Sequence, residues 1–402
     1  MQSRFRFMFG TVKHAAIRPK RNPTARSPLR SRSTNLPLLR QARLAHRLNS
    51  ALNIRVVEQT RLLRELDLSS NGAAQLEMLE RAVAATREQF QKSVFVRAVV
   101  ELSNFCRERC AYCGMSRDNR RLNRYRASIE QLAELLVHHR PDSVTDVNLQ
   151  AGEDPVAARE VAIPLIKILR RETSLGVSVC LGTLDRDLYR DLQDAGASIY
   201  IMKFESGNHA RYAELKAPGT LEERLQHIRL LASEGWAVSS GFIVGLPNQD
   251  ADDMRECLRL ANSLPLRGCS VSPFIPGEDT PLANNPTANI NWTLNCMAAL
   301  RLMRPEWVIP AVSALNLAQK EGYRLGLRAG ANLTTINLTP DEVRRDYVIY
   351  KRDRFIMTEE RVLNAITAEG LVPSKRSLVE YYRNSANGMP CPPVQSAAVA
   401  AT

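Results

Sequence analysis

The fold that this sequence predicts is a parallel (β/α)8 barrel, of α/β class. Three observations carry the expectation. Short β-branched runs alternate with helical runs of ten to seventeen residues, an order that implies parallel strands joined by right-handed crossovers. Eight such strands fall within ~250 residues, the count and length of a closed barrel. The G-x-G-x-x-G fingerprint that would follow the first strand of an open doubly wound sheet is absent.

Residues 1–57 hold eleven Arg and two Lys with no Asp or Glu. This arm is Ser-rich and has no apolar core segment, so it is no secretory signal; it fits an organelle transit peptide or a basic, disordered extension. The compartment expected is then an organelle matrix (mitochondrion, hydrogenosome or plastid) in the first case and the cytoplasm of a prokaryote in the second. Residues 58–92 read as two amphipathic helices split at Ser69-Ser-Asn-Gly72. The barrel is expected over 93–340. Its strands are 95–104, 144–152, 176–183, 198–206, 237–247, 268–276, 307–314 and 331–339. Helices near 128–140, 157–173, 185–195, 220–235, 250–264, 291–304 and 315–326 connect them. Ser128 with Gln131 and Thr220 with Glu223 read as capping boxes, and Gly196 and Gly235 as helix stops. Residues 341–385 add one or two helices, and 386–402 form a loose tail.

Composition excludes several classes. The 402 residues are 44% hydrophobic and 24% charged, which excludes a disordered chain or a disulfide scaffold. The formal charge is +13, but beyond residue 57 the chain carries 42 basic against 42 acidic residues. The body is neutral, so nucleic acid is not an expected partner. No run approaches the ~20 apolar residues of a membrane span.

In such barrels the chemistry sits at the carboxyl ends of the strands. Polar residues gather there: Ser103-Asn104, Gly152-Glu153-Asp154, Thr183, Glu205-Ser206, Ser272, Ser313 and Asn337. The strongest signal is Cys106-Arg-Glu-Arg-Cys110-Ala-Tyr-Cys113, directly after strand one. Of eight Cys, three fall within eight residues and the rest are scattered. That spacing suits one thiolate-built site in a reducing compartment, not a disulfide framework. Structural zinc would want a fourth Cys or His. Three thiolates suit a [4Fe–4S] cluster with one iron open to a small molecule.

The C-x3-C-x2-C loop, with Tyr112 before the third Cys, resembles the radical S-adenosylmethionine superfamily, and residues from about 72 to 373 resemble its biotin synthase branch. The resemblance implies that Cys106, Cys110 and Cys113 hold the cluster, and that its open iron chelates S-adenosylmethionine. One electron then cleaves that cofactor to methionine and a 5′-deoxyadenosyl radical. It implies that Gly152, Glu153 and Asp154 receive the cofactor's amino group, that Glu205 binds its polar end, and that Arg224 pairs with its carboxylate. Ile243 and Gly245 on strand five match the apolar strip against adenine, and Tyr112 lends backbone groups to the adenine edge. The partners implied are a small-molecule substrate and an electron donor such as ferredoxin or flavodoxin. Read as plain structure, Gly152 and Gly245 terminate strands and Glu205 with Arg224 form an ion pair. Ser272, Ser313 and Arg328 are candidate substrate contacts facing the mouth.

Within the branch, Cys180 matches one ligand of the second cluster of biotin synthase, but strand five reads Ser239-Ser240 and no arginine lies near Ile309. Cys180 is more simply a small buried residue. Tyr112-Cys-Gly-Met-Ser-Arg117-Asp-Asn119, Asn123-Arg-Tyr-Arg126, Pro273-Phe-Ile-Pro276 and Arg328-Ala-Gly-Ala-Asn332 resemble the [FeFe]-hydrogenase maturases. Gly-Glu-Asp-Pro, Asn-Arg-Tyr-Arg and Ile309-Pro-Ala311 are shared with methylornithine synthase. The reading is a radical enzyme of the maturase type. Alternatives are a methylornithine-type mutase, a sulfur inserter, or a scaffold whose basic arm is the active part.

Overall fold

The computed structural model describes residues 58–59, 61–352 and 355–386. The expectations for the basic arm and the tail lie outside the described residues, apart from the last residues of the C-terminal helix. Among the described residues no helix is long and apolar enough to cross a membrane.

The sheet is parallel throughout. β1 (Ser93–Ser103) pairs with β2 (Asp146–Ala151) on one side and β7 (Leu333–Asn337) on the other. From β2 the order continues through β3 (Gly176–Cys180), β4 (Ile199–Ile201), β5 (Ala237–Val244) and β6 (Gly268–Pro273). The predicted strand 307–314 fills the remaining gap, but as two isolated bridges, Val308 to Gly268 and Pro310 to Leu333. Pro310 has no N–H to donate, so a regular ladder cannot run through it. Three bonds still close the ring there: Val308 N to Arg267 O (3.2 Å), Asn332 N to Ile309 O (2.9 Å) and Ala311 N to Leu333 O (2.8 Å).

The helices fall where the periodicity puts them, with three exceptions. The run predicted at 157–173 is a one-turn start at Pro155–Ala157, a π-helical turn at Ala158–Ala162 and an α-helix at Ile163–Glu172. Pro164 removes one i→i−4 donor, and a π-turn absorbs the mismatch. The run predicted at 315–326 is two short helices, Ala314–Ala318 and Gly322–Arg328, broken where Glu321 takes φ +60°. An unpredicted helix, His209–Glu214, follows β4. Thr220 and Glu223 form the expected reciprocal cap; Ser128 accepts from Gln131 N, while its hydroxyl donates to Glu130 instead. Gly196 and Gly235 take the left-handed conformations expected of helix stops.

β1 shows how the pleat divides the molecule. Val94, Val96, Ala98, Val100 and Leu102 point outward into the core between sheet and helices, each no more than 1% exposed. Arg97, Val99 and Glu101 point inward and line a cavity. The lumen is therefore hollow and partly polar, where most barrels of this type fill it with branched side chains. Its lower end is sealed by Phe90, Phe95 and Leu333 against Leu378, Tyr381 and Tyr382 of the C-terminal helix, Leu378–Ala386. Asp146 anchors that helix by accepting from Leu378 N at 2.9 Å.

Candidate active site

The cysteine loop leaves the top of β1 and is tied by one half-buried cation. The Arg124 guanidinium donates to the carbonyls of Asn104 (2.5 Å), Met115 (2.9 Å), Ser116 (2.7 Å) and Asn119 (3.2 Å). Four carbonyls on one planar fork hold the loop without any secondary structure. The end of β2 then packs beneath it. A Cβ at Gly152 would lie 2.3 Å from Phe105 O, so only glycine admits that approach. Glu153 N donates to Cys106 Sγ (3.4 Å), and Arg107 N donates to Glu153 O (3.1 Å).

Cys106, Cys110 and Cys113 line one upper cavity of about 160 Å³. Tyr112, Gly152, Glu153, Glu205, Arg224, Ile243 and Ser272 line it too. Ten of the fourteen predicted site residues thus meet on one wall. Burial pushes the Cys113 thiol up to about 12, with Cys106 adding to the shift. Cys110 is raised by burial and then by Cys113. Such thiols ionise only when a metal supplies the compensating charge. Among the described residues no three His, Cys, Asp or Glu side chains converge on one point as the donors of a single ion do. The loop offers three thiols to one cavity, a donor set whose chemistry fits an iron–sulfur cluster.

The acid and base groups are arranged differently from the simplest expectation. Arg224 pairs with Glu153 (Nη1 to Oε1, 2.8 Å), not with Glu205, and donates to Thr183 Oγ1 at 2.8 Å. Both ions are less than a tenth exposed, and Arg224 Nε has no partner. Burial raises the Glu205 carboxyl; Lys203 and Arg224 pull against that shift, and the Tyr112 hydroxyl bonds to it. Tyr112 therefore turns its side chain to the site, while its carbonyl packs against Gly277. Glu205 sits at φ +59°, a left-handed conformation rare for a carboxylate residue. Main-chain bonds to β5 impose it: Glu205 N to Gly241 O (3.1 Å) and Ile243 N to Glu205 O (2.9 Å).

Four predicted residues stand elsewhere. Asp154 accepts bidentately from Arg126 (2.8 and 3.0 Å) and from Ser103 Oγ (2.8 Å), and lines neither cavity. Gly245, at φ +82°, lies against Ala288 and outside both cavities. Ser313 lines a lower cavity of about 150 Å³. Arg328 does not face the mouth: its Nε pairs with Glu369 at 2.7 Å beside Ser93 and Val94, at the opposite end of the barrel. A position just after a helix end, read from sequence, does not reveal which end of the barrel it meets.

The lower cavity continues the lumen. Gln150, Cys180, Lys203, Ser272 and Tyr350 line both chambers. Cys180 faces this lumen and is not a core residue. Lys203 and Arg97 were missed, although each is a cation inside an otherwise apolar strand run, a readable signal. Burial alone would lower the Lys203 ammonium, but the neighbouring Glu205 carboxylate turns the net shift upward. Tyr347 and Tyr350 arrive from a segment beyond β7 that carries no sequence signal for the site.

The family model of the radical SAM superfamily matches residues 100–261. The chain is 32% identical over 294 residues to the [FeFe] hydrogenase maturase subunit HydE of Thermotoga maritima, covering 73% of this chain and 84% of the relative. It is 28% identical over 321 residues to 3-methylornithine synthase of Methanosarcina barkeri, covering 75% and 87%. Among solved structures, methylornithine synthase (PylB) aligns with a TM-score of 0.68 at 21% identity, over 82% of this chain and 99% of that one. The maturase HydG of Carboxydothermus hydrogenoformans aligns at 0.66 and 19%, over 86% and 85%. At these identities the structures speak for the fold alone. With the thiol loop over a hollow parallel barrel and a relative this similar along most of both chains, the protein belongs to the radical SAM superfamily of enzymes, whose members bind a [4Fe–4S] cluster and S-adenosylmethionine.

Proposed function

We infer that this chain generates a 5′-deoxyadenosyl radical and directs it at a small molecule in the barrel lumen, in the manner of a hydrogenase maturase. The observation that carries this reading is the sharing of one cavity by Cys106, Cys110 and Cys113 with Glu153, Glu205 and Arg224. The three thiols would hold the cluster. When bound, the cluster supplies the electron that splits the sulfonium of S-adenosylmethionine.

The chain's own residues do the rest. Arg224 and Glu153 present a cation and an anion side by side, a match for an amino acid's carboxylate and ammonium. Arg224 Nε, buried without a partner, is a donor still to be satisfied. Ile243 offers an apolar surface, and Tyr112 orients Glu205. The sealed floor and narrow walls keep water from a reactive species. The substrate would lie in the lower chamber, reached past Lys203, Ser272 and Tyr350.

Two features weigh on the choice within the branch. Among the described residues Cys180 is the one thiol lining the lower chamber. A second, sulfur-donating cluster needs more ligands than that, so sulfur insertion of the biotin synthase kind is disfavoured. A methylornithine-type mutase is the second reading, supported by the likeness over 87% of that relative.

The test is anaerobic reconstitution with iron and sulfide, then dithionite and S-adenosylmethionine. Close to four irons per chain and release of 5′-deoxyadenosine are expected, and Cys113→Ala should lose both. A colourless protein with stoichiometric zinc would sink the reading. Formation of 3-methylornithine would select the second reading over the first.

A further inference from the structure

The lower chamber holds polar groups that neither the fold nor the radical chemistry uses. Arg97 points into it from the middle of β1, between Val96 and Ala98, which face the outer core. Its Nε donates to Thr335 Oγ1 at 3.1 Å. Among the described residues its two terminal nitrogens donate to no protein group, and no carboxylate pairs with it. Tyr382 enters the same chamber from the C-terminal helix. It is 7% exposed, and its hydroxyl bonds to no protein group among the described residues. Burial and then Tyr381 raise the Tyr382 phenol pKa, while the Arg97 charge pulls it down, so guanidinium and phenol are neighbours. Ser239 on β5 brings a second hydroxyl without a partner among the described residues. The two hydroxyls flank Gly268 on β6: a Cβ there would lie 3.3 Å from Tyr382 OH and 3.3 Å from Ser239 Oγ. Any side chain at that position would fill the gap they share.

A buried donor without an acceptor is destabilising, and a buried cation more so. A ligand that meets these groups relieves both. The unbonded fork of Arg97 matches a carboxylate, which accepts two parallel N–H bonds. Hydroxyls converging on one gap match a ligand hydroxyl, which both gives and accepts. An ammonium group finds no such place. Among the described residues Glu101 is the one carboxylate lining the chamber, and it already accepts from Asn337 Nδ2 at 3.2 Å. Lys203 adds a second cation at the waist between the chambers. The volume of about 150 Å³ admits a molecule of benzene's size.

We propose that the lower chamber is the site of a small hydroxy acid, whose carboxylate seats on Arg97 and whose hydroxyl groups reach Tyr382 and Ser239. That this acid is the substrate rests on the radical reading above; its binding does not, and the experiment separates the two. Full-length reconstituted protein is titrated by anaerobic calorimetry with glycerate, serine, butyrate and glycerol. Serine carries an ammonium where glycerate has its 2-hydroxyl, butyrate lacks the hydroxyls, and glycerol lacks the carboxylate. Glycerate should bind about tenfold or more tighter than each of the other three. Arg97→Met should weaken that binding about tenfold or more, and Tyr382→Phe, which keeps the ring, about fivefold. Both variants should unfold at or above the wild-type temperature, since each loses an unsatisfied group and no protein contact of it. Serine bound as tightly as glycerate, no binding of glycerate, or undiminished binding by Arg97→Met each overturns the proposal. So does early unfolding of Arg97→Met, which would make the guanidinium a structural group. In the same preparation, dithionite and S-adenosylmethionine should release 5′-deoxyadenosine. Its absence while glycerate binds overturns the radical reading and upholds the hydroxy-acid site.

Discussion

Arg224 and Glu153 are the pair on which the upper cavity depends. Both are buried, so each stabilises the other's charge far more than a surface partner would. Arg224→Leu should destabilise the chain by about 1–3 kcal/mol, because the buried Glu153 then keeps only the longer contact with Arg107 at 3.4 Å. Chemical unfolding checks this; a loss below about 1 kcal/mol would mean that water reaches Glu153. The sequence placed these two residues on the right wall but not with each other. Glu153 sits at the top of β2 and Arg224 four residues into the helix after β4, and only the curl of the sheet brings them to 2.8 Å. Lys203 was legible and passed over: a lysine in the run Ile-Tyr-Ile-Met-Lys-Phe has no reason to be there unless the strand faces a cavity.

At the scale of elements, the ends of β2 and β3 act as supports for the loop above them. Gly152→Ala would drive a methyl group to 2.3 Å from Phe105 O, a backbone atom that cannot swing away. A cost of about 1–3 kcal/mol and displacement of the cysteine loop are expected, read as lowered iron content after reconstitution at unchanged secondary structure. The turn after β3 is a junction. Thr183 accepts from Arg107 (2.7 Å) and Arg224 (2.8 Å), and Tyr189 OH accepts from Leu184 N (3.0 Å) and meets His227 Nδ1 at 3.0 Å. Burial lowers the His227 pKa, and Arg224 lowers it further, against Glu153 and Glu223. A depressed pKa means that the folded state favours neutral imidazole. Its contribution is therefore present above pH ~6.5 and lost as the pH falls through the folded value. Wild type should lose thermal stability between about pH 7 and 5 more steeply than His227→Gln. Parallel curves would exclude His227 as the source. Thr183 and Arg224 were legible as residues of the rim, whereas Tyr189 and His227 read as ordinary helix residues.

Across the whole molecule, the C-terminal helix converts an open cylinder into a closed vessel. Tyr382→Ala should cost about 3–5 kcal/mol, as expected for a large buried aromatic residue, and admit solvent to the lower chamber. Urea unfolding and binding of an apolar dye measure the two effects; a stable, dye-silent variant would show that the floor is held elsewhere. The alternation of strands and helices, the outward valines of β1 and the C-x3-C-x2-C loop are local properties, and they determined the barrel, its polar rim and its cofactor class without reference to any contact. Periodicity, caps and spacing act over a few residues, so they survive in a one-dimensional reading. The partner of Arg224, the outlying position of Arg328, the bridges in place of a strand at Pro310 and the hollow lumen are set by how the sheet curls. They join residues far apart in the chain, and tertiary structure alone decided them.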